Sequence, residues 1–295
     1  MFKTSAIVRE DMERIFASDS SGWSFFSGKT ILITGATGMI PSYLVTFLLY
    51  LNEEKTIPLE IIAFVRNRDK AERLFKQSLQ NPSLKIISGD INSAINLPGS
   101  LDYIIHGASL ASPQYYHTDP VGTILPNVLG TYHLLELARE KKVACLVFLS
   151  SGAVYGNVKG KLVSEDSGGW VDPLAPGSCY AESKRMGETM CAAWQRQYRV
   201  PARMVRIRHT FGPTMDLERD ERVFTSFVSS VLKGKDIVLR SDGSREIEFL
   251  YITDAVTGIL RVIGSGKDGE AYNLSNSREQ ISVLALARQL AESAK

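Results

Sequence analysis

The sequence predicts an α/β fold in which a doubly wound parallel sheet is followed by a smaller C-terminal cap. Short, apolar, often β-branched segments alternate with longer amphipathic ones, which is the pattern of strands buried on both faces and separated by helices. Of the 295 residues, 44% are apolar, enough for a sizeable core. A glycine-containing turn also follows the first predicted strand directly.

The predicted elements follow one another in a regular order. The N-terminal arm, residues 1–28, contains a short helix at Arg9–Phe16, and Trp23, Phe25 and Phe26 are expected to seat it on the main body. The strands of the predicted sheet are Thr30–Thr34, Ile61–Val65, Lys85–Ile87, Tyr103–His106, Leu146–Ser150 and Ala202–Arg206. The helices between them are Ser42–Leu51, Lys70–Gln77, Val128–Lys141 and Ala181–Tyr198.

The pattern becomes less regular near Gly212, which predicts a domain boundary. Residues 29–211 would form the nucleotide-binding domain, and residues 212–295 a smaller cap that binds substrate at the ligand edge of the sheet. The charge run Asp216–Arg222 is interpreted as a mobile, solvated loop rather than a site. The elements predicted in the cap are Arg222–Leu232 (helix), Asp236–Leu239 (strand), Asp254–Gly264 (helix) and Ser282–Ala294 (helix).

Charge and cysteine content exclude several classes of protein. The formal net charge is +2, from 34 basic and 32 acidic residues, so we expect neither a nucleic-acid partner nor a membrane surface. Cys145, Cys179 and Cys191 are odd in number and lack metal-ligand spacing, which indicates reduced thiols and no metal site. The N-terminus has no signal-peptide pattern, and no stretch approaches the roughly 18 apolar residues of a membrane helix. We therefore expect a cytoplasmic protein.

A glycine turn connects the first predicted strand to the helix after it. Gly35 permits the tight turn, and Gly38 lets the backbone approach a pyrophosphate that the helix N-terminus attracts. The turn therefore predicts a Rossmann-type sheet that binds NAD or NADP. Pro41 stands where a third glycine is usual; a first helical turn tolerates proline, but its packing on the strand must differ. The predicted cofactor contacts in this turn are Gly35, Thr37, Gly38, Met39 and Ile40.

The second predicted strand ends without the acidic residue that holds the ribose hydroxyls of NAD. Arg66 and Arg68 stand there instead. A carboxylate would repel a 2′-phosphate, whereas arginine pairs with it, and a hydrogen bond to a charged group contributes about 1.5–3 kcal/mol, or about ten- to a hundredfold in affinity. We therefore predict that Arg66 and Arg68 bind NADP. The alternative is NAD, with both arginines as solvated loop charges.

Three residues predict proton transfer coupled to redox chemistry. Tyr180 and Lys184 are four residues apart and share one face of a helix. An ammonium beside the phenol is expected to lower its pKa, so that Tyr180 donates and accepts protons near neutral pH. Ser151 ends the strand Leu146–Ser150, at the edge where such sheets bind ligands, and its hydroxyl could bond the same substrate oxygen.

With these residues the chain resembles the extended short-chain dehydrogenase/reductases, the NAD-dependent epimerase/dehydratase family. The resemblance spans Lys29 to Ser275, and it is closest to nucleotide-sugar decarboxylases and dehydratases because of the segments 111–113 and 184–189. The motifs that carry it are Thr34–Gly38, Gly89-Asp90-Ile91, His106-Gly107-Ala108-Ser109, Asn127 before Gly130-Thr131, Ser150–Gly156, Tyr180–Lys184 and Phe211-Gly212-Pro213.

The resemblance implies a nucleotide-sugar substrate and a homodimer formed through the helices Val128–Lys141 and Ala181–Tyr198. It also implies that relatives continue some tens of residues further, so part of the substrate pocket would lie beyond this chain. Besides the glycine turn, the implied cofactor contacts are Asp90, Ile91, Ala108, Ser109, Asn127, Tyr180 and Lys184. The implied substrate contacts are Ser112, Gln114, Tyr115, Ser151, Gly152, His209 and Arg245. For Tyr115, Tyr116 and His117, contact with the sugar and a role as loop anchors both stay open.

Departures from the family pattern narrow the expected chemistry. Gly152 and Ala153 stand where dehydratases and decarboxylases carry an acid, and a lost general acid costs roughly 10²–10⁴-fold in rate. We therefore expect neither dehydration nor decarboxylation. His209 replaces an asparagine of the family, as a ligand contact or a structural hydrogen bond. Ile247 replaces a family arginine, for which Arg245 on the same side of a strand could substitute as a phosphate clamp.

Three functions compete on this reading. The first is an NADPH-dependent 4-ketoreductase of a nucleotide-linked deoxy sugar, which the arginine pair favours because a consumed cofactor is usually NADPH. The second is a nucleotide-sugar 4-epimerase that recycles its cofactor. Both need Ser151, Tyr180 and Lys184 and neither needs the missing acid. The third is a non-catalytic NADP sensor, against which the intact trio argues.

Overall fold

The computed structural model describes residues 3–19, 23–158, 163–218, 220, 222–278 and 280–293. Within this part of the chain, seven parallel strands form one sheet in the order β3-β2-β1-β4-β5-β6-β9. The predicted doubly wound parallel sheet is thereby confirmed. Its strands are β1 (Lys29–Thr34), β2 (Leu59–Val65), β3 (Leu84–Ser88), β4 (Tyr103–His106), β5 (Cys145–Ser151), β6 (Ala202–Ile207) and β9 (Ala271–Leu274).

Helices cover both faces of this sheet. On one face α2 and α9 pack under α1, and on the other α6 and α7 pack together against the centre of the sheet. A π-helical turn over Pro126–Gly130 connects α5 to α6. The helices are α1 (Ala6–Ala17), α2 (Met39–Glu54), α3 (Arg68–Leu74), α4 (Pro113–Thr118), α5 (Pro120–Leu125), α6 (Thr131–Lys141), α7 (Ser178–Tyr198), α8 (Val223–Leu232), α9 (Ile252–Ser265) and α10 (Val283–Ser293).

The order of strands reverses between β1 and β4. The chain runs outward from β1 to β3 and then returns to the other side of β1, so loops from the two halves diverge at the carboxyl ends of these strands. A crevice at such a switch point is where open α/β sheets bind ligands. The register aligns Thr34 with His106 and Ser151 with Ile207 at this edge.

A buried hydrogen-bond network holds β1 and β4 together at the switch point. His106 Nε2 donates to the Pro126 carbonyl at 3.1 Å, because that carbonyl only accepts. Its Nδ1 is then the acceptor for the Thr34 hydroxyl at 2.9 Å. The Thr34 oxygen in turn accepts from the backbone of Gly107 and Ala108. Burial, with the nearby charge of Lys184, lowers the pKa of His106 to about 3, so the ring is neutral.

The N-terminal arm is part of the main core. Trp23 and Phe26 are fully buried, as the sequence predicts, and Phe26 packs edge-on against Tyr103 of β4. The buried carboxylate of Asp11 in α1 accepts hydrogen bonds from the hydroxyls of Tyr43 in α2 and Tyr251. One carboxylate thus connects α1, α2 and the residue that precedes α9.

A second, three-stranded sheet lies at the ligand edge, in the order β10 (Gln280–Ser282), β8 (Glu246–Tyr251) and β7 (His209–Phe211). It packs with α8 and α10 around a small core that contains Phe227, Ile247 and Leu286. Two other elements of the C-terminal part belong to the main sheet: α9 covers β5 and β6, and β9 is its edge strand.

The predicted strand Asp236–Leu239 is wrong. These residues form no regular element, and Val238 is 74% exposed. Ile237 and Leu239 do pack on the small core, which explains the alternating pattern in the sequence. Alternation alone does not make a strand, since a strand also needs a ladder partner. No helix in the part of the chain that the structure describes is long and apolar enough to cross a membrane.

Candidate active site

A cavity of about 580 Å³ opens at the carboxyl ends of β1, β4, β5 and β6, beneath the smaller sheet. The N-terminus of α2 forms one wall, and the first turns of α7 form another. Concave, mixed polar and apolar clefts of this size are typical small-molecule sites. The predicted site residues that line it are Gly38, Met39, Ile40, Ser109, Ser112, Ser151, Gly152, Tyr180, Lys184, His209 and Arg245.

The glycine turn requires its glycine by geometry. Gly35 has φ +65°, and a Cβ there would lie 2.7 Å from the Cα of Ala108, so a side chain would collide with the backbone after β4. Gly38 is the N-cap of α2, which directs the start of that helix at the cavity. Pro41 fits because Gly107, directly after the neighbouring strand β4, has no side chain. A Cβ on Gly107 would lie 2.6 Å from the proline ring.

Ser151, Tyr180 and Lys184 converge on the cavity from two elements. Ser151 is the last residue of β5, while Tyr180 and Lys184 lie one turn apart near the start of α7. Lys184 is only 2% exposed, and its Nζ donates to the Leu149 carbonyl at 2.7 Å. That bond ties α7 to β5 and holds the ammonium 5.8 Å from the centre of the Tyr180 ring.

The electrostatics of the trio differ from the sequence prediction. Burial raises the pKa of Tyr180, although the Ser151 hydroxyl and the positive charge of Arg222 act in the opposite direction. Burial lowers the pKa of Lys184 to about 7, against the attraction of Glu188. The net shift of the Tyr180 pKa is therefore upward, opposite to the sequence prediction, because burial of the phenol outweighs the interactions that lower it.

Tyr116 contacts the catalytic candidate directly. Its ring is stacked on Tyr180, and its hydroxyl donates to the Ala111 carbonyl at 2.9 Å. Tyr116 lines the cavity. The hydroxyls of Ser109 and Ser112, in the same loop, are buried without a partner among the described residues, so they are free to bind a ligand.

The positions of the missing acid lie in the cavity wall, and an arginine lies against them. A Cβ on Gly152 would be 2.6 Å from Cδ and 2.9 Å from Nη1 of Arg208. Both Gly152 and Ala153 line the cavity, as does Arg208. Where relatives carry a carboxylic acid at the end of β5, this chain thus has the guanidinium of Arg208.

An ion pair contributes to the lining of the cavity. Asp220 and Arg222 both line it, and Arg222 holds the carboxylate through Nε at 2.8 Å. Although burial acts to raise the pKa of Asp220, the hydrogen bonds from Arg222 hold it below its usual range. Asp220 is thus an ionised acceptor, not a proton donor. The interpretation of the run Asp216–Arg222 as a solvated loop is wrong for these two residues; positions 219 and 221 lie outside the described residues.

His209 and Arg245 face the cavity from the smaller sheet. Burial, together with the charges of Arg208, Arg245 and Arg222, lowers the pKa of His209 to about 4, so the ring is neutral. Arg245 directly precedes β8 and lines the cavity, whereas Ile247 is buried in the small core. The residue at the position of the family arginine, Ile247, therefore packs in the core, and Arg245 supplies a positive charge two residues earlier.

Other predicted cofactor residues lie along the same sheet edge outside the cavity wall. Arg66 and Arg68 follow β2 and are exposed, and Arg68 is held by Glu72 through Nε at 2.7 Å. Asn127 is buried, with its amide nitrogen bonded to Ser183 and its oxygen without a partner among the described residues. The remaining predicted cofactor residues outside the wall are Gly35, Thr37, Asp90, Ile91 and Ala108, and the predicted substrate residues outside it are Gln114 and Tyr115.

These residues fit a dinucleotide. A pyrophosphate can approach the glycine turn at Gly35, which has no room for a Cβ, and the N-terminus of α2. The oxygens of Ser109 and Asn127, which have no partner among the described residues, can form hydrogen bonds with the riboses. Among the described residues, no group of three or more His, Cys, Asp or Glu side chains could hold a metal ion.

Comparison with known proteins agrees with this geometry. The NAD dependent epimerase/dehydratase family matches residues 31–275. UDP-glucuronic acid decarboxylase 1 of Xenopus tropicalis is 32% identical over 282 residues, which are 95% of this chain and 64% of that protein. UDP-glucuronic acid decarboxylase 6 of Arabidopsis thaliana is 33% identical over 256 residues, which are 86% of this chain and 71% of that protein.

Among solved structures, the dTDP-glucose 4,6-dehydratase of Streptomyces venezuelae with NAD bound has a TM-score of 0.76 and 27% identity, and the alignment covers 90% of this chain and 80% of that one. The family match takes in both the glycine turn and the reactive side chains of the cavity. The chain belongs to the NAD-dependent epimerase/dehydratase family.

Proposed function

We propose that the protein transfers hydride at carbon 4 of a nucleotide-linked sugar with a nicotinamide dinucleotide. The observation that carries the proposal is the convergence of Ser151, Tyr180 and Lys184 in one cavity, next to a helix N-terminus with a glycine turn. The relatives named as decarboxylases of UDP-glucuronic acid support a nucleotide sugar as the substrate class.

Ser151, Tyr180 and Lys184 have different roles in this reaction. A nicotinamide dinucleotide held by the glycine turn and the N-terminus of α2 would supply the hydride acceptor and donor. Tyr180 exchanges the proton of the sugar hydroxyl; with its pKa raised by burial it is a proton donor at neutral pH, as ketone reduction needs. Ser151 donates a hydrogen bond to the same oxygen. The ammonium of Lys184, whose pKa burial lowers to about 7, would stabilise the phenolate that forms when Tyr180 gives up its proton.

We favour a recycled cofactor, and hence a 4-epimerase, over the 4-ketoreductase that the two arginines indicate. One of them, Arg68, is engaged by Glu72, so it is less available to a 2′-phosphate. The solved dehydratase relative holds NAD. NADP stays the alternative cofactor through Arg66.

Decarboxylation is a second candidate, favoured by the names of the two sequence relatives. Oxidation at carbon 4 of a uronic acid gives a β-keto acid, which loses carbon dioxide without a protein acid. The missing acid at Gly152 and Ala153 therefore weighs more strongly against dehydration, which must protonate a leaving hydroxyl.

The test is incubation with nucleotide sugars that carry deuterium at carbon 4, with NAD or NADP, followed by NMR and mass spectrometry of the products. We expect the carbon-4 epimer with no net change in reduced nicotinamide. In a parallel incubation with a 4-keto nucleotide sugar, net NADPH consumption would identify a reductase. Release of carbon dioxide from a nucleotide-linked uronic acid would identify a decarboxylase. If no nucleotide sugar exchanges hydride at carbon 4 with either cofactor, the proposal is wrong.

A further inference from the structure

We propose that Arg208 binds a carboxylate on the sugar, so that the substrate is a nucleotide-linked uronic acid. This inference rests on the proposed function, because it names the substrate class of the same cavity. It concerns a residue that directly follows β6 and reaches the end of β5 from the neighbouring strand.

Arg208 lies beside the end of β5 that carries Ser151. The register of β5 and β6 aligns Ser151 with Ile207, so the next residues, Gly152 and Arg208, lie side by side. A Cβ on Gly152 would be 2.6 Å from Cδ of Arg208. The arginine side chain therefore occupies the space that a side chain at position 152 would take. Because Ser151 is the predicted partner of the reacting oxygen, this space borders the sugar.

Charge is the second step. Other arginines of this region are neutralised: Arg206 pairs with Glu188 at 2.7 Å, and Arg222 pairs with Asp220. The guanidinium of Arg208 has neither a hydrogen bond nor an ion pair with any residue that the structure describes, and it lines the cavity. The adjacent His209 is neutral and supplies no counter-charge. The guanidinium of Arg208, beside the reacting carbon, thus has no counter-charge among the described residues.

Chemistry is the third step. A guanidinium presents two parallel N–H groups that match a carboxylate or a phosphate. Arg245, the other cavity arginine without a partner among the described residues, enters from the smaller sheet and serves as the phosphate candidate. Arg208 lies at the strand end with Ser151, so the acidic group nearest to it belongs to the sugar. A uronic acid carries its carboxylate on carbon 5, which is bonded to the reacting carbon 4.

The test is calorimetry of the NAD-saturated protein with three probes: UDP, UDP-glucose and UDP-glucuronate. We expect wild type to prefer UDP-glucuronate to UDP-glucose by about tenfold or more. In Arg208→Met this preference should fall by about ten- to a hundredfold, as for a lost charged hydrogen bond. The matched control Arg245→Met should weaken all three probes alike and leave the preference in place.

Gly152→Ala is a second variant that leaves the guanidinium in the protein. The added methyl must displace Arg208, so the preference should fall in the same direction. Equal losses for UDP and UDP-glucuronate in Arg208→Met would make Arg208 a phosphate ligand and overturn the proposal, as would a wild type without preference. Failure of the proposed function is distinguishable: hydride exchange at carbon 4 would be absent, whereas the preference measured by binding does not need turnover.

Discussion

The rings of Tyr116 and Tyr180 lie parallel, with centroids 4.9 Å apart and an interplanar angle of 11°. Tyr116 is anchored in turn through its hydroxyl to the Ala111 carbonyl. The loop after β4 thereby fixes the plane of the phenol that we assign to proton transfer. Tyr116 is a positioning residue in this arrangement, since it acts through Tyr180.

Replacing the Tyr116 ring should impair turnover although the proton donor, Tyr180, is still present. Tyr116→Ala should lower kcat about two- to tenfold, because an aromatic pair contributes about 0.5–1.5 kcal/mol. Tyr116→Phe keeps the stack and should retain most of kcat. Steady-state kinetics on the active nucleotide sugar, with the pH profile of kcat, decide the matter. A Phe variant as impaired as the Ala variant would indicate that the hydroxyl, not the stack, matters.

The three catalytic candidates should respond differently to mutation. Tyr180→Phe should lower turnover roughly 10²–10⁴-fold with cofactor affinity retained. Lys184→Ala should reduce both turnover and cofactor affinity, because it removes a charge that serves both. Ser151→Ala should have a smaller effect, about 1 kcal/mol for one hydrogen bond. Rates and cofactor affinities of each variant are the measurements, and near wild-type turnover in Tyr180→Phe would remove its role in proton transfer.

Cofactor preference should depend on the loop after β2. Arg66→Asp should weaken NADP and favour NAD, since a carboxylate repels the 2′-phosphate and binds ribose hydroxyls. Arg68→Ala should have the weaker effect, because Glu72 already engages that side chain. Calorimetry with both dinucleotides measures this. An Arg66→Asp variant with unchanged NADP affinity would show that Arg66 does not contact the 2′-phosphate.

The buried histidine at the switch point should make the fold sensitive to acid. Folded His106 stays neutral down to a pKa of about 3, lowered from 6.5, mainly by burial. The unfolded chain takes up that proton near pH 6.5, so it binds more protons in this interval. The free energy of unfolding should therefore fall as pH drops from 6.5 toward 3, by up to about 1.4 kcal/mol per pH unit from this group.

Denaturant unfolding at several pH values tests this contribution. His106→Asn should be less stable at neutral pH, because hydrogen bonds to Thr34 and Pro126 change, but its stability should decline less steeply below pH 6.5. The exposed His117→Asn variant controls for the substitution itself. Parallel curves for wild type and His106→Asn would show that His106 does not carry the acid sensitivity.

An apolar surface on α5–α7 should form a homodimer. Exposed side chains here are Val121 at 62%, Met186 at 48% and Tyr132 at 42%. Apolar groups clustered on neighbouring helices mark interaction surfaces. Wild type should sediment as a dimer, and Met186→Glu with Tyr132→Glu should shift it to monomer without unfolding. Glutamate at the exposed Leu232, on α8, is the control. A monomeric wild type at micromolar concentration contradicts this prediction.

The main sheet could be predicted because its strands are buried on both faces. Tyr103–His106 is predicted with the bounds that the structure has, since all four residues are buried. Helix starts are less accurate: α2 begins at Met39, three residues before the predicted Ser42. Its first turn faces the cavity and the neighbouring loop, so it lacks the amphipathic pattern that reveals the rest.

The cavity's charged residues were harder to find. Arg208 has no motif of its own, and its proximity to Gly152 follows only from the pairing of β5 with β6. The sequence indicates this proximity only through Gly152 directly after β5 and Arg208 directly after β6. Asp220 and Arg222 lie in a polar run whose composition is typical of solvated loops, and only the folding of the chain brings them to the cavity wall.

The carboxylate of Asp11, shared by Tyr43 and Tyr251, has a practical consequence for expression. The family match begins at residue 31, which invites truncation there. Cutting at that point would remove Val8, Met12, Ile15 and Trp23 from the main core and strip α2 and α9 of their cover. The buried phenol of Tyr43 and the half-buried phenol of Tyr251 would lose their common acceptor. A protein shortened to the matched region should therefore aggregate, although every residue of the candidate active site would still be encoded.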